Sequence, residues 1–263
     1  MPCAGFDMTE RTPWERLELV RDPARPKAPA ILDALLDDAF ELHGDRMGGD
    51  DPAVVVRLGA LKASGRRIVA IGQNAARIVP SGFRKAVRAL RLAGRLDLPV
   101  LTVIDTRGAD PLPSSEAGGI AVAIGSTFEA MLSCPSPTLA LISGEGGSGG
   151  ALAMAVADRV LALENAVFSV IAPEGAAAIL YRDASRAPEL AERLKITAAD
   201  LEGFALVDRL IPETTGVWVD SLMREAVSSE IEDLIATKPA RRLKRRSKRW
   251  RKLGAEHLGY VTR

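Results

Sequence analysis

The chain has 263 residues, with 35 Lys+Arg against 34 Asp+Glu and a formal net charge of +1, so no global field selects for nucleic acid or an anionic membrane. Hydrophobic residues make up 47% and charged residues 26%, which excludes disorder throughout, and 4% aromatics are too few for base-stacking platforms. Two cysteines (Cys3, Cys134) and two histidines (His43, His257) leave no room for a four-thiolate zinc site, a disulfide framework or a multi-histidine metal centre.

The stretch MPCAGFDMTERTPWERLELVRDP has no apolar centre between a basic start and a cleavage site, and no run approaches the ~18 apolar residues of a membrane span. The expected setting is cytoplasmic and reducing. Residues 1–27 read as an N-terminal arm with one short helix around Trp14–Val20. An amphipathic helix is predicted from Ala28 to Leu42, with Ile31, Leu32, Leu35, Leu36, Ala39 and Phe40 on its core face. Gly44 would be its left-handed cap, and His43 would bond its last carbonyls.

Short apolar runs predict strands at Ala53–Leu58, Ile68–Gly72, Pro99–Asp105, Thr138–Ser143, Arg159–Leu163, Val167–Ile171 and Leu206–Ile211. Helices are predicted between them at Phe83–Arg95, Ala117–Leu132, Gly149–Ala157 and Pro188–Leu194, with a further one at Val217–Ile235. Strands alternating with helices predict an α/β domain over residues 28–236 with buried, largely parallel strands. A basic helical tail follows at 237–263. Residues 238–252 hold ten Lys/Arg and no acid, leaving 25 basic against 34 acidic residues elsewhere. The expected role of that tail is to fold back on the acidic body, with contact to an acidic partner or a phosphorylated ligand as the alternative and no aromatic or motif context for nucleic acid.

Pro137–Ser143 leads into Gly144-Glu-Gly-Gly-Ser-Gly-Gly150 and then small residues, which reads as strand, glycine turn and helix. Missing Cβ atoms let backbone amides converge, and a helix N-terminus adds unpaired donors, so the segment suits negative charge. Three chemistries fit the letters. Gly144, Gly146 and Gly149 match a dinucleotide fingerprint, with Glu164 at 20 residues' distance. Gly146-Gly-Ser148-Gly-Gly150 matches a nucleophile elbow, whose base downstream could only be His257. The third is an oxyanion hole made by the Gly149 and Gly150 amides with no nucleophilic side chain.

Gly144–Asp158 and Val167–Leu180, together with Trp14–Pro23, Glu41–Arg46, Asp50–Ala53, Gly82–Ala86, Ile104–Pro111, Lys195–Leu201, Leu206–Glu213 and the basic end, Leu243–Tyr260, form an ordered pattern. That pattern resembles the carboxyltransferase alpha subunit of multi-subunit bacterial acetyl-CoA carboxylase. Departures fall at Arg107 and Asp110, where the family has proline and tyrosine, and at Ser115–Gly119; the family's N-terminal helical extension is absent and its basic loop is reduced to Gln73–Ser81.

The resemblance implies a crotonase-like fold, a spiral of ββα units with a C-terminal helical region. It implies transfer of a carboxyl group from carboxybiotin on a carrier protein to acyl-CoA, giving malonyl-CoA or a related product in fatty acid biosynthesis. Gly149 and Gly150 would supply the amide donors, Gly146 and Gly147 would let biotin approach, and Gly108 and Ala109 would line the same side. No metal is expected on this chain. The expected partners are a zinc-ribbon beta subunit and a biotin carboxyl carrier protein, in an α2β2 assembly, with Ala117–Leu132 and Gly149–Ala157 as partner faces. Arg107 and Asp110 read either as a surface ion pair or as a reshaped pocket. Glu174 and Gly175 are expected to cap a helix, and Asp105 to be structural. Two other readings stay open: a stand-alone crotonase-type hydratase, isomerase or thioesterase with Glu116 or Glu174 as base, and a non-catalytic scaffold subunit.

Overall fold

The structure is a computed structural model that describes residues 11–213 and 221–253. Cys3, His257 and the first residues of the helix expected from Val217 lie outside them. Helix α1 (Pro13–Arg21) is opened by a capping box, in which the Thr12 hydroxyl accepts from the Glu15 amide and the Glu15 carboxylate accepts from the Thr12 amide. It buries Leu17 and Val20 against β7 (Val167–Ser169) and α8 (Ala187–Leu194), and so places the N-terminal segment beside the glycine cluster.

The helix expected to reach Leu42 ends early. Helix α2 covers Ala28–Leu35, and Leu36–Glu41 form strand β1, antiparallel to β2 (Val54–Leu61). The pairing slips between Asp37 and Phe40, where Asp38 takes φ +47°. Gly59 makes the fit possible, because a Cβ there would lie 2.8 Å from that of Ala39. Backbone pairing at a sheet edge overrides the helical period, and Ala39 and Phe40 become exposed instead of joining the core. His43 and Gly44 therefore cap no helix. Gly44 is left-handed (φ +73°) in a loop, and the exposed His43 ring lies 3.3 Å from the Asp50 carboxylate.

Strand β2 continues antiparallel to β3 (Arg67–Gln73), and α3 (Pro80–Leu96) follows, with Pro80 in its first turn and a left-handed Asp97 at its end. From β3 the sheet is parallel through β4 (Val100–Thr106), β5 (Thr138–Gly147), β6 (Arg159–Leu163) and β8 (Arg209–Ile211), while β7 pairs with the far end of β5. Every residue of β4 and β5 is buried, as central parallel strands require. The helix expected over Ala117–Leu132 is split into α4 (Pro113–Ala117) and α5 (Ile120–Ser133), because the intervening Gly119 is left-handed (φ +78°). Helices α6 (Ser148–Ala155), α7 (Pro173–Tyr181), α9 (Ala198–Gly203) and α10 (Ser221–Ile235) complete the layers.

The basic segment is helical over α11 (Pro239–Lys252) and docks on the body. Arg246 is fully buried; it pairs with Asp158 and donates to the carbonyls of Met131, Cys134 and Ser136. Arg249 pairs with Asp208 (2.5 Å), and the Trp250 indole donates to the Ala157 carbonyl (2.9 Å).

Candidate functional site

The glycine cluster is not a turn. Strand β5 runs through Gly144, Gly146 and Gly147 without a break, and the chain swings into α6 at Ser148, which takes φ +52°. The glycines are there because their side-chain spaces are occupied. A Cβ on Gly144 would collide with the Asp105 carboxylate, and one on Gly146 would collide with the Phe168 ring. One on Gly147 would lie 2.5 Å from the Arg107 carbonyl carbon, and one on Gly150 would lie 2.7 Å from the Ala109 amide nitrogen. Gly149 differs: nothing comes within 4 Å of its missing Cβ, so it fronts open space. The dinucleotide reading fails on this geometry, because Gly144 and Gly146 are buried strand residues and no phosphate loop forms.

The first turn of α6 has no side-chain cap, and among the described residues no loop carbonyl takes the Gly149 or Gly150 amide. Beside it lies the loop that leaves β4. Gly108 takes φ +101°, which brings its backbone to 3.0 Å between a built Cβ and the Gly147 oxygen. This loop is laced to the segment before α3. The Gly108 carbonyl accepts from the Ile78 amide, the Ile78 carbonyl accepts from the Asp110 amide, and the Thr106 hydroxyl donates to the Ala76 carbonyl. The Gly108 amide is taken by the Thr106 hydroxyl (3.0 Å), whereas the Ala109 amide has no bond among the described residues. Gln73, fully buried at the end of β3, donates to the Gly150 carbonyl (2.9 Å) and fixes the turn from below.

Gly108, Ala109, Gly147, Gly149 and Gly150 thus meet at one bend, where among the described residues no loop carbonyl takes the amide of Ala109, Gly149 or Gly150. Gly146 is one step back and faces Phe168. Arg107 is exposed at the mouth but forms no ion pair with Asp110, whose carboxylate instead accepts from the Ser115 hydroxyl (2.6 Å) and the Leu112 amide (3.3 Å). Helix α6 is mostly buried and offers little partner face, while α5 leaves Val122 74% exposed. Ser148 is exposed, and its hydroxyl has no bonded base among the described residues. Glu174 is bound to Arg21 (2.5 Å), and Glu116 is exposed on α4.

Behind the bend lies a charged cluster that the sequence reading did not assemble. Asp105 and Glu145 are buried at the carboxyl ends of β4 and β5, and with Arg21, Lys27 and Arg107 they line a cavity of about 170 Å³. Arg21 pairs with Glu145 (2.7 Å), Arg25 pairs with Glu213 (2.7 Å), and Lys27 lies 3.9 Å from Asp105. Burial pushes the Asp105 carboxyl up to about 6, against the pull of Lys27 and of the Glu145 amide that it accepts from. Four separate segments supply these groups, so no local motif announces them. Among the described residues, no group of three or more His, Cys, Asp or Glu could hold a metal, and no helix is long and apolar enough to cross a membrane.

A family model described as acetyl co-enzyme A carboxylase carboxyltransferase-like matches residues 7–254. The acetyl-coenzyme A carboxylase carboxyl transferase subunit alpha of a Thermus thermophilus strain is 43% identical over 262 residues, 93% of this chain and 83% of that protein. The subunit alpha of Deinococcus radiodurans is 42% identical, over 92% of this chain and 82% of that protein. In Salinispora tropica the match, 43% identical over 95% of this chain, is to subunits beta/alpha. The chain spans 47% of that relative, about half its length.

Among solved structures, transcarboxylase 12S is similar with a TM-score of 0.70 at 19% identity, covering 82% of this chain and 43% of that one. The beta subunit of Pseudomonas aeruginosa geranyl-CoA carboxylase gives a TM-score of 0.68 at 20% identity, over 91% of this chain and 48% of that one. These likenesses show the fold, which is the crotonase-like α/β fold expected from the sequence. Matched by the family model over nearly its whole length and by full-length alpha subunits at more than two-fifths identity, the chain belongs to the acetyl-CoA carboxylase carboxyltransferase-like family.

Proposed function

We propose that this chain is the alpha half of an acyl-CoA carboxyltransferase, which receives a carboxyl group from carboxybiotin on a carrier protein and passes it to acyl-CoA bound with a beta partner. The observation that carries this reading is the bend itself: the backbones of Gly149, Gly150 and Ala109 converge there, no loop carbonyl among the described residues takes their amides, and Gly149 fronts open space. Carboxybiotin supplies the transferable carboxyl group, and its release leaves negative charge on an oxygen. Main-chain donors held rigidly at that oxygen stabilise the charge where it develops, and removing one donor typically costs ~3–4 kcal/mol of barrier.

The residues fit this task. Gly149 leaves the approach clear, and Gln73 and the laced loop 106–110 hold the donors without needing to reorganise. Among the described residues no acid–base pair stands at the bend, since Glu174 is committed to Arg21 and no base is bonded to Ser148. The partners that this reading requires are a zinc-ribbon beta subunit and a biotinylated carrier, in an α2β2 assembly; the beta/alpha relative of Salinispora tropica supports the pairing.

The test is reconstitution with the beta partner and carboxylated carrier, scored by formation of carboxylated acyl-CoA. Turnover of the complete set, lost in Gly150→Val, is expected. Acyl-CoA turnover by the isolated chain, or an undiminished rate in that variant, would sink the reading. Ser148, exposed at a left-handed strand-to-helix junction, favours a hydrolase as the second reading; full carboxyl transfer by Ser148→Ala dismisses it.

A further inference from the structure

Another concave feature lies between α3 and α5. It is a groove of about 830 Å³, and none of its lining residues belongs to the 106–110 loop or to α6. Its charge is lopsided: Arg46, Arg84, Arg88, Arg91 and Arg95 line it with only two carboxylates, Asp45 and Glu129. Four of these arginines recur at helical spacing and form one file along α3, roughly 16 Å long at 1.5 Å per residue.

The file divides into anchored and available members. Arg84 is bound to Asp45 (2.7 Å), and Arg88 donates to the carbonyls of His43 and Gly44 (2.6 and 2.7 Å). The Asp45 carboxylate also accepts from the Met47 and Gly49 amides. Burial would raise this carboxyl, but these amides and Arg84 hold it below the ordinary carboxylate range, as an anion. Together they strap the 43–50 loop to α3, and that loop is strained, with φ of +73° at Gly44, +67° at Arg46 and +89° at Gly48. A left-handed φ is unfavourable for an arginine, and here it sets Arg46 on the wall of the groove.

Arg46, Arg91 and Arg95 are exposed and have no ion-pair partner among the described residues. The floor between them is apolar, made by the buried Val87 and Leu90 and by Pro135, which Gly94 admits to 3.1 Å of its missing Cβ. Ser126 and Ser133 stand on the α5 wall. Guanidinium forks bind phosphate oxygens bidentately and stack on flat rings, and an apolar floor suits a base. The volume is that of a small-molecule site and far exceeds the needs of a single phosphate.

We propose that the α3–α5 groove binds a nucleotide-sized phosphorylated ligand, a nucleoside diphosphate moiety, through Arg46, Arg91 and Arg95. This site is separate from the glycine bend and does not depend on the carboxyltransferase reading. The moiety could arrive as a free nucleotide or as the phosphoadenosine end of a coenzyme A, and the chemistry of recognition is shared.

The experiment titrates the full chain with ADP, CoA, adenosine and inorganic phosphate, and maps the site by hydrogen exchange. ADP or CoA is expected to bind with Kd below about 1 mM at low salt and to weaken as salt rises, with adenosine silent. Saturation by ADP alone assigns a free nucleotide and by CoA alone the coenzyme moiety; mutual competition shows one shared site, and the tighter of the two ligands then assigns the source. Exchange protection should fall on residues 84–96 and 126–135. Arg91→Ser/Arg95→Ser should lose about tenfold in affinity with Tm unchanged. The proposal is overturned if no nucleotide saturates, if the double variant binds as the parent does, if protection falls on 144–151 instead, or if only single-stranded RNA or the beta partner occupies the groove.

Discussion

Gly150 and Ala109 lie 41 residues apart in the chain, yet a Cβ on Gly150 would lie 2.7 Å from the Ala109 amide nitrogen. Two backbones are in contact with no side chain between them. Gly150→Val is therefore expected to push the 106–110 loop outward and spoil both donors, lowering transfer by at least about 10²-fold. Gly149→Ala is the matched folding control, since open space meets its Cβ and the amide remains, while the added methyl narrows the approach and should lower transfer less than Gly150→Val does. That variant should fold with equal or slightly greater stability, by about 0.5 kcal/mol. Steady-state transfer rates and urea midpoints for the pair check both statements.

Gly146 and Phe168 form a second close pair. Gly146→Ala should cost about 1–3 kcal/mol, because the new Cβ would collide with the edge of the Phe168 ring. Adding Phe168→Ala should recover part of that loss, so the two changes should be non-additive in a double-mutant cycle read by urea unfolding. Strict additivity would mean that the strand itself, and not the ring, demands glycine.

Asp105 gives a pH signature. Its folded-state carboxyl sits at about 6 against an ordinary 3.8, so between those values the native state binds more protons than the unfolded chain. Its contribution to stability is fully present below pH 3.8 and is lost as pH rises through about 6. The shift corresponds to something on the order of 2–3 kcal/mol. Asp105→Asn, which can still accept from the Glu145 amide, should flatten the fall in stability between about pH 4 and pH 7. Chemical denaturation across that range, compared with the parent, measures it.

Arg246 holds α11 to the body through bonds to Asp158 and three carbonyls. Arg246→Met keeps the bulk but removes the bonded partner of Asp158, leaving it Arg242 at 3.7 Å and the two Thr138 donors, and should cost ~3 kcal/mol. The denaturant midpoint should drop at constant slope. A change of under about 1 kcal/mol would show that solvent replaces the clamp.

Much of this architecture was legible as letters. The apolar runs at β4 and β5 have no polar face, which marks central parallel strands, and Pro80 and the amphipathic run after it mark α3. The stretch 28–42 misled because Ala39 and Phe40 keep a helical period while sitting on an edge strand whose pairing is decided by Gly59 and Asp38. In the glycine cluster the letters announce close approach but not its object. Only the folded chain shows that Asp105, Phe168, Arg107 and Ala109 fill the four spaces. The Asp105, Glu145, Arg21 and Lys27 cluster was unreadable for the same reason, since each member comes from a different element.

The loop from Thr106 to Asp110 is anchored by bonds of its main chain and of Thr106, while the Arg107 side chain is exposed at the mouth and the Asp110 carboxylate turns to the Leu112 amide and the Ser115 hydroxyl. Under the proposed function, the donors are peptide N–H groups, which every residue except proline carries. The mouth of the site can then exchange its side chains freely over evolutionary time, changing what is admitted without touching what does the chemistry.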